Sequence, residues 1–271
     1  MCKALASSAL LLSFLFSLVC GAAMADNVPR NVVSELAPTG KLRAAINFGN
    51  TVLAQKDPAS GEPRGVSAEL AREVAKRLAV PIEFVTFDAA GKVVDALANG
   101  VWDIAFLAID PVRGAGIDYT APYVLIEGAY VVPADSPLKT VEDIDRDGVR
   151  VAVARASAYD LYLTRALKHA KLVREANGPD ALALFRKERI EAAAGVKQPI
   201  VAFAKEHPDT RVIPGRFMVI EQAMGTPKGR EDGVSYLRAF IEEMKASGFV
   251  ARALAASGQT DAAVAPPAAA K

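Results

Sequence analysis

Residues 102–123 read WDIAFLAIDPVRGAGIDYTAPY, and the fold turns on how they are divided. Asp103–Ala108 is an apolar run of strand length. It breaks into a polar loop, Asp110-Pro111-Val112-Arg113-Gly114, and returns as an extended run closed by Ala121-Pro122-Tyr123. Arg113 therefore stands just past the end of an apolar strand, between a proline and a glycine. Open α/β sheets bind ligands outside the carboxyl ends of their strands, and a guanidinium offers a planar fork of donors that matches a carboxylate. An ion pair with Asp110 or Asp118 is the structural alternative for Arg113. Its strand-end position and the proline-fixed loop favour binding, and Asp110 in the same loop is a further candidate.

Upstream, Leu42–Asn47 reads as a strand. Ser67 reads as the N-cap of a helix whose stripe is Leu70, Ala71, Val74, Ala75 and Leu78. Ile82–Phe87 is a second strand, and Lys92–Asn99 a second helix stopped by Gly100. Strand and helix in alternation mean parallel βαβ units. The continuous apolar run Ile104–Ile109 calls for helices on both faces of the sheet.

Downstream, Val124–Pro133 is extended and the alternation begins again. Strands are expected at Val149–Val153, Leu172–Val173, Ile190–Ala194 and Arg211–Ile213, with helices at Leu138–Ile144, from Ser157, through Ala181–Phe185 and from Pro199. Phe217–Met224 is extended again, and two helices follow from about Gly233 and from Phe249. The expected fold is α/β: a two-lobed clamp, each lobe a mixed, mostly parallel sheet flanked by helices. Val124–Pro133 and Phe217–Met224 are the paired crossing strands. The boundaries that follow are a linker over 26–40, a first lobe over 41–128 completed by 223–259, a second lobe over 129–222, and an Ala- and Pro-rich disordered tail over 260–271.

The first 25 residues read as a secretory signal peptide. Lys3 is followed by the apolar run Ala4–Val19, and Ala23-Met24-Ala25 is a small-residue cleavage pattern. Cys2 and Cys20 leave with it. Val19 and Ser17 do not suit a lipid-attachment site before Cys20. Removing Lys3 leaves 31 basic and 31 acidic residues, and no basic face with interleaved aromatics suggests nucleic acid. The chain's histidines, His169 and His207, are far apart, so metal-ligand spacing is missing. Neither a serine-nucleophile elbow nor a Walker loop occurs, and Gly114-Ala115-Gly116 lacks the third glycine of a dinucleotide loop. No cofactor is expected, and the periplasm is the expected location.

Other residues could grip a solute. Ser157-Ala158-Tyr159-Asp160 fits a capping box, and the same helix start offers the Ser157 hydroxyl and the Ala158 amide to an anion. Asn47 and Asn50 flank a turn at the end of the first strand. Glu127 is a lone carboxylate in an apolar run and needs a partner, structural or ligand. Lys197 and Gln198 follow another strand end, where a solvated helix start is the alternative.

Four stretches resemble the family 3 extracytoplasmic solute-binding proteins, the polar amino-acid receptors of ABC importers. They are Gly65–Leu70, Asp103–Tyr123, Val151–Ser157 and Glu191–Pro199, and the resemblance spans roughly Lys41–Gly258. It implies that Arg113 holds a ligand carboxylate with help from Ser157, that closure of the lobes traps the solute, and that a monomer delivers it to the importer's membrane subunits. The sequence departs from the family in two places. The loop Ala108–Arg113 is two residues shorter than usual and lacks its threonine. No acid stands near Val196 or Lys197, where the family's partner for an α-ammonium falls. Either Glu127 takes the ammonium or the ligand is a carboxylate without one, and Lys197 would favour a second negative group. An enzyme of cyclohexadienyl-dehydratase type, with Glu127 or Asp110 as general acid, and a receptor for a membrane sensor are the alternatives on the same scaffold.

Overall fold

The computed structural model describes residues 28–269, and the signal-peptide reading lies outside them. The first lobe opens with α1 (Arg30–Leu36), β1 (Leu42–Asn47), the short hairpin β2 (Gln55–Lys56) and β3 (Pro63–Arg64), α2 (Val66–Leu78), β4 (Ile82–Phe87), α3 (Ala90–Asp95) and β5 (Ile104–Ala108). β6 (Ile117–Pro133) crosses to the second lobe, which holds β7 (Arg150–Ala154), α4 (Ala158–Ala166), β8 (Lys171–Glu175), α5 (Gly178–Lys187), β9 (Ala192–Val196), α6 (Lys197–Glu206) and β10 (Thr210–Val212). β11 (Met218–Pro227) returns, and α7 (Glu231–Ala246), α8 (Phe249–Ala256) and β12 (Ala263–Val264) finish on the first lobe.

The strands run in the order β4-β1-β5-β11-β6-β9-β7-β8. β4, β1 and β5 are parallel, as are β8, β7 and β9. β11 and β6 lie antiparallel between the two sets. All five residues of β5 are buried, because alternate side chains feed opposite faces of the sheet. Ala44, Ile46, Ile104, Phe106 and Ala108 join the core beneath α2, α7 and α8. Ala45, Ala105 and Leu107 pack with Trp102 and Val93 on the other face. Two further clusters, around Tyr130, Val151 and Val153 and around Val131, Ala152 and Phe185, form the core of the second lobe. Trp102 is packing, as a lone tryptophan usually is; its indole N–H donates to Val93 O at 2.9 Å.

The expected crossing strands do pair: Met218 lies opposite Gly128 and Gln222 opposite Val124. The first of them is longer than its sequence suggests. Ile117–Tyr123 and Val124–Pro133 form one strand of 17 residues, about 55 Å at ~3.3 Å per residue, enough to run through both lobes.

Each lobe carries an arginine–carboxylate brace at the start of a central strand. Asp103, fully buried, accepts from the Arg43 backbone N–H and guanidinium at 2.8–3.0 Å and from Arg230 at 3.1 Å. In the second lobe Glu191 accepts from the Arg150 backbone and guanidinium in the same way, at 2.8–3.0 Å.

Three expectations are corrected. The stretch read as a linker contains α1, whose Val32 and Leu36 are buried. Its ends are tied to α7 by Asn31 to Asp232 and by Glu35, which accepts from the Gly233 N–H. Two apolar residues four apart are too short a pattern to reveal a helix, and contact with α7 supplies the rest. The tail read as disordered contains β12, which pairs with Leu125 and Val124 on the side of β6 that β11 leaves open. Ala265 is buried and donates to Tyr123 O, and Lys245 Nζ bridges Pro122 O and Pro266 O. Backbone pairing holds this segment, so composition did not reveal it. Ser67 is not the N-cap of α2. The helix begins at Gly65, whose φ of 101° suits only glycine and where a Cβ would lie 2.7 Å from Leu53 O. Ser67 instead shares a 3.0 Å hydrogen bond with the buried Tyr123 hydroxyl.

Truncation after Gln259 should uncover the β6 edge and lower the thermal midpoint by roughly 2–4 °C for each kcal/mol lost. Melting followed by circular dichroism checks this, and an unchanged midpoint would mean that the tail contributes no stability.

Candidate functional site

The loop after β5 is shaped by its own side chain. Asp110 Oδ1 accepts from the Val112 N–H at 2.8 Å, and Gly114 N donates to Asp110 O at 2.9 Å. This turn carries Arg113 inward until only 3% of it is exposed. Nη1 donates to Ala108 O at 3.2 Å in its own lobe, and Nη2 to Ala156 O at 2.8 Å in the other. Nε is buried and has no partner among the described residues. Burial pushes the Arg113 pKa below its ordinary value, but an arginine stays protonated in proteins. The phenol of Tyr119, coupled to the same guanidinium, is pushed up to about 12 by burial.

Neither structural ion pair considered for Arg113 forms. Asp110, 5% exposed, turns its Oδ2 to Arg165 of α4 at 2.8 Å. Asp110–Arg165 and Arg113–Ala156 are thus two polar contacts across the lobe junction. Beside them Gly91 of α3 meets the second lobe so closely that an added Cβ would lie 2.9 Å from Ala156 Cβ and 3.1 Å from Arg155 O.

Ser157 caps α4: its Oγ accepts from the Asp160 N–H at 3.0 Å, and Asp160 Oδ2 accepts from the Ala156 N–H at 2.8 Å. Asn47 Oδ1 accepts from Gly49 N at 2.9 Å, and Asn50 Oδ1 from Val52 N at 3.3 Å. Arg113, Ser157, Ala158, Asn47 and Asn50 all line one cavity between the lobes. It measures about 50 Å³, on the scale where one water needs ~10–15 Å³. Sequence reasoning missed Asp88, Arg155, Phe106 and Gln222, which line it too. The strand-end rule that pointed to Arg113 would have found Asp88 after β4 and Arg155 after β7.

Four candidates lie elsewhere. Asp110 is outside the cavity lining and spent on Arg165. Glu127 accepts from Lys197 Nζ at 2.6 Å and from Arg216 Nη1 at 2.8 Å, hydrogen bonds that hold its pKa below the usual carboxylate range. Glu127, Lys197 and Gln198 line a separate, wider depression of about 710 Å³ that also touches Asp261 and Ala263 of the tail. Period-two alternation explains Glu127: its neighbour Ile126 enters the core, so Glu127 faces the other way. For Lys197 the first turn of α6 does the same, since Val196 before it lines the cleft.

Two α/β lobes joined by crossing strands, with a buried guanidinium at their junction whose Nε has no partner among the described residues, define a two-lobed binding protein. Residues 53–256 match the bacterial extracellular solute-binding proteins, family 3, and the chain belongs to that family. It is 20% identical over 205 residues to a glutamine-binding protein of Geobacillus stearothermophilus, covering 73% of this chain and 77% of that one. A mutant form of ArgBP from T. maritima superposes with a TM-score of 0.71 at 22% identity, over 84% of this chain and 99% of that one. An ancestral amino-acid-binding protein, a precursor of cyclohexadienyl dehydratase, gives 0.69 at 23% identity over 83% and 97%.

Two outcomes test this geometry. Gly91→Val should hold the lobes apart and enlarge the radius of gyration in small-angle scattering; an unchanged scattering curve would show that α3 does not limit approach. Because the native Glu127 pKa is depressed, its ion pairs stabilise the fold at neutral pH and lose that effect as pH falls through the native pKa. The melting difference between wild type and Glu127→Gln should therefore close on acidification.

Proposed function

We propose that this chain captures a small carboxylate-bearing solute between its lobes and delivers it to the membrane subunits of an ABC importer, acting as a monomer in the periplasm. Residues 41–128 with 223–259 serve as one jaw and 129–222 as the other. The observation that carries this is Arg113: a buried guanidinium at the junction with its Nε unpartnered. Burying such a group is costly unless its donors are satisfied, and a carboxylate accepts from the fork in parallel. The Ser157 hydroxyl and the Ala158 amide, at the start of α4, reach the same cavity from the second jaw. A solute bridging both jaws favours the closed form by its difference in affinity for the two forms, and the Asp110–Arg165 pair adds to closure. The relatives named for glutamine and as amino-acid-binding support a solute of this size class.

The dehydratase-like alternative needs a general acid in the cleft. Its two candidates are committed elsewhere, Glu127 to Lys197 and Arg216, Asp110 to Arg165. Capture is therefore the better supported function.

A thermal-shift screen against amino acids, dicarboxylates and aromatic acids should find a ligand that raises the midpoint with its concentration. Arg113→Ala should weaken that ligand by about 2–5 kcal/mol while its circular dichroism stays native. Arg113→Lys keeps the charge, loses the fork and should not restore binding. Full affinity in Arg113→Ala would overturn the carboxylate anchor.

A further inference from the structure

The charged and amide groups around Arg113 are mainly donors, beside the hydroxyls of Ser67, Ser157 and Tyr159, which can do either. Arg113 spends two of its five N–H groups on Ala108 O and Ala156 O. The backbone fixes Asn47 and Asn50 the same way round: each gives its carbonyl oxygen to a main-chain N–H, of Gly49 and of Val52. Each is left with an NH₂ that has no partner among the described residues. Ser157 has a lone pair taken by the Asp160 N–H, and its hydroxyl also lies at the Tyr159 phenol. Arg155 also lines the cavity; it is exposed and forms no ion pair among the described residues.

Acceptors are few. Asp88 contributes the lone carboxylate of the lining; it is exposed and held by Lys92 at 2.8 Å. Glu127 is spent in the other depression. Gln222 can turn its amide oxygen inward, but one neutral carbonyl does not balance a cation. An ammonium has three donors and no acceptor. Here it would face donors and the buried Arg113 guanidinium, in a site whose burial strengthens their repulsion.

On the basis of the carboxylate-capture reading, we infer that the solute is a small organic acid with no ammonium group: an oxo-acid, a hydroxy-acid or a plain short-chain carboxylate. The wall complements a solute that only or mainly accepts. Arg113 takes the carboxylate, the Asn47 and Asn50 amides meet an oxo or hydroxyl oxygen, and Arg155, exposed at the lining, would favour a second anionic end. Phe106, Leu53 and Ile220 supply the apolar remainder. The confined cavity favours a small solute. Discrimination arises because the amino analogue would bury a cation whose one nearby carboxylate, Asp88, is already held by Lys92, which a binding site rejects far more strongly than a lost methylene.

The test uses matched acids that differ at one carbon: pyruvate and lactate against L-alanine, malate against L-aspartate, and 2-oxoglutarate against L-glutamate. Calorimetric titration and thermal shift are measured on the wild-type protein and on Arg113→Ala. At least one oxo- or hydroxy-acid should bind at least about tenfold more tightly than its amino partner, and Arg113→Ala should lose it. If an amino acid binds as tightly as its partner or more so, and Arg113→Ala loses it, the inference falls and carboxylate capture stands. If no acid in either series binds, or binding ignores Arg113, both fall. A second variant tests the donor wall itself. Asn47→Asp keeps the acceptor that Gly49 needs and replaces the free NH₂ by a carboxylate oxygen. It should move the preference at least about tenfold towards the amino member of the pair. A preference that does not move would remove Asn47 from the account.

Discussion

A guanidinium taken out of water at the meeting of two lobes constrains the groups around it. Arg113 cannot shed its charge, so its N–H groups must find acceptors or the closed arrangement is penalised. Two are satisfied by main-chain carbonyls, one from each lobe, and Nε is left for something else. The loop that positions it is held by Asp110, which also reaches across to Arg165. The same few residues thus tie the loop of Arg113 to the second lobe. Gly91 lets the lobes come within that range, since any side chain there would meet Ala156.

Rigidity behind the anchor comes from elements far from the cleft. Asp103 braces β1 and β5 through Arg43 and Arg230, and Glu191 braces β7 and β9 through Arg150. Each carboxylate receives both a backbone N–H and a guanidinium, the satisfied form of a costly group. The braces sit at the starts of the strands, and Asn47, Arg113 and Arg155 lie at or past their ends. That separation lets the cleft end vary in chemistry while the sheet keeps its register.

Much of the fold was legible because periodicity is a local property. The run Ile104–Ala108, the stripe of α2 and the second set of alternating elements were enough to infer two lobes, and the crossing strands followed from where the alternation stopped. What escaped was held by pairing rather than pattern. α1 has only Val32 and Leu36 to show, and β12 rests on two residues hydrogen-bonded to β6. In the site, strand-end residues were found where they were charged forks or turn formers, such as Arg113 and Asn47. The same rule passed over Asp88 and Arg155. Glu127 was misplaced because its suspected isolation ended at Lys197 and Arg216, which lie 70 and 89 residues away in the chain.

The amino-acid sequence by itself determined the α/β class, the two-part organisation and the position of Arg113 past a buried strand, because each depends on spacing along the chain. Only the tertiary structure decided which polar groups are already satisfied. Whether Asn47 offers its oxygen or its nitrogen, whether Asp110 serves Arg113 or Arg165, and whether Glu127 is free depends on neighbours brought together by folding. That accounting of spent and unspent hydrogen bonds sets the chemistry of the cleft, and it does not exist until both lobes are in place.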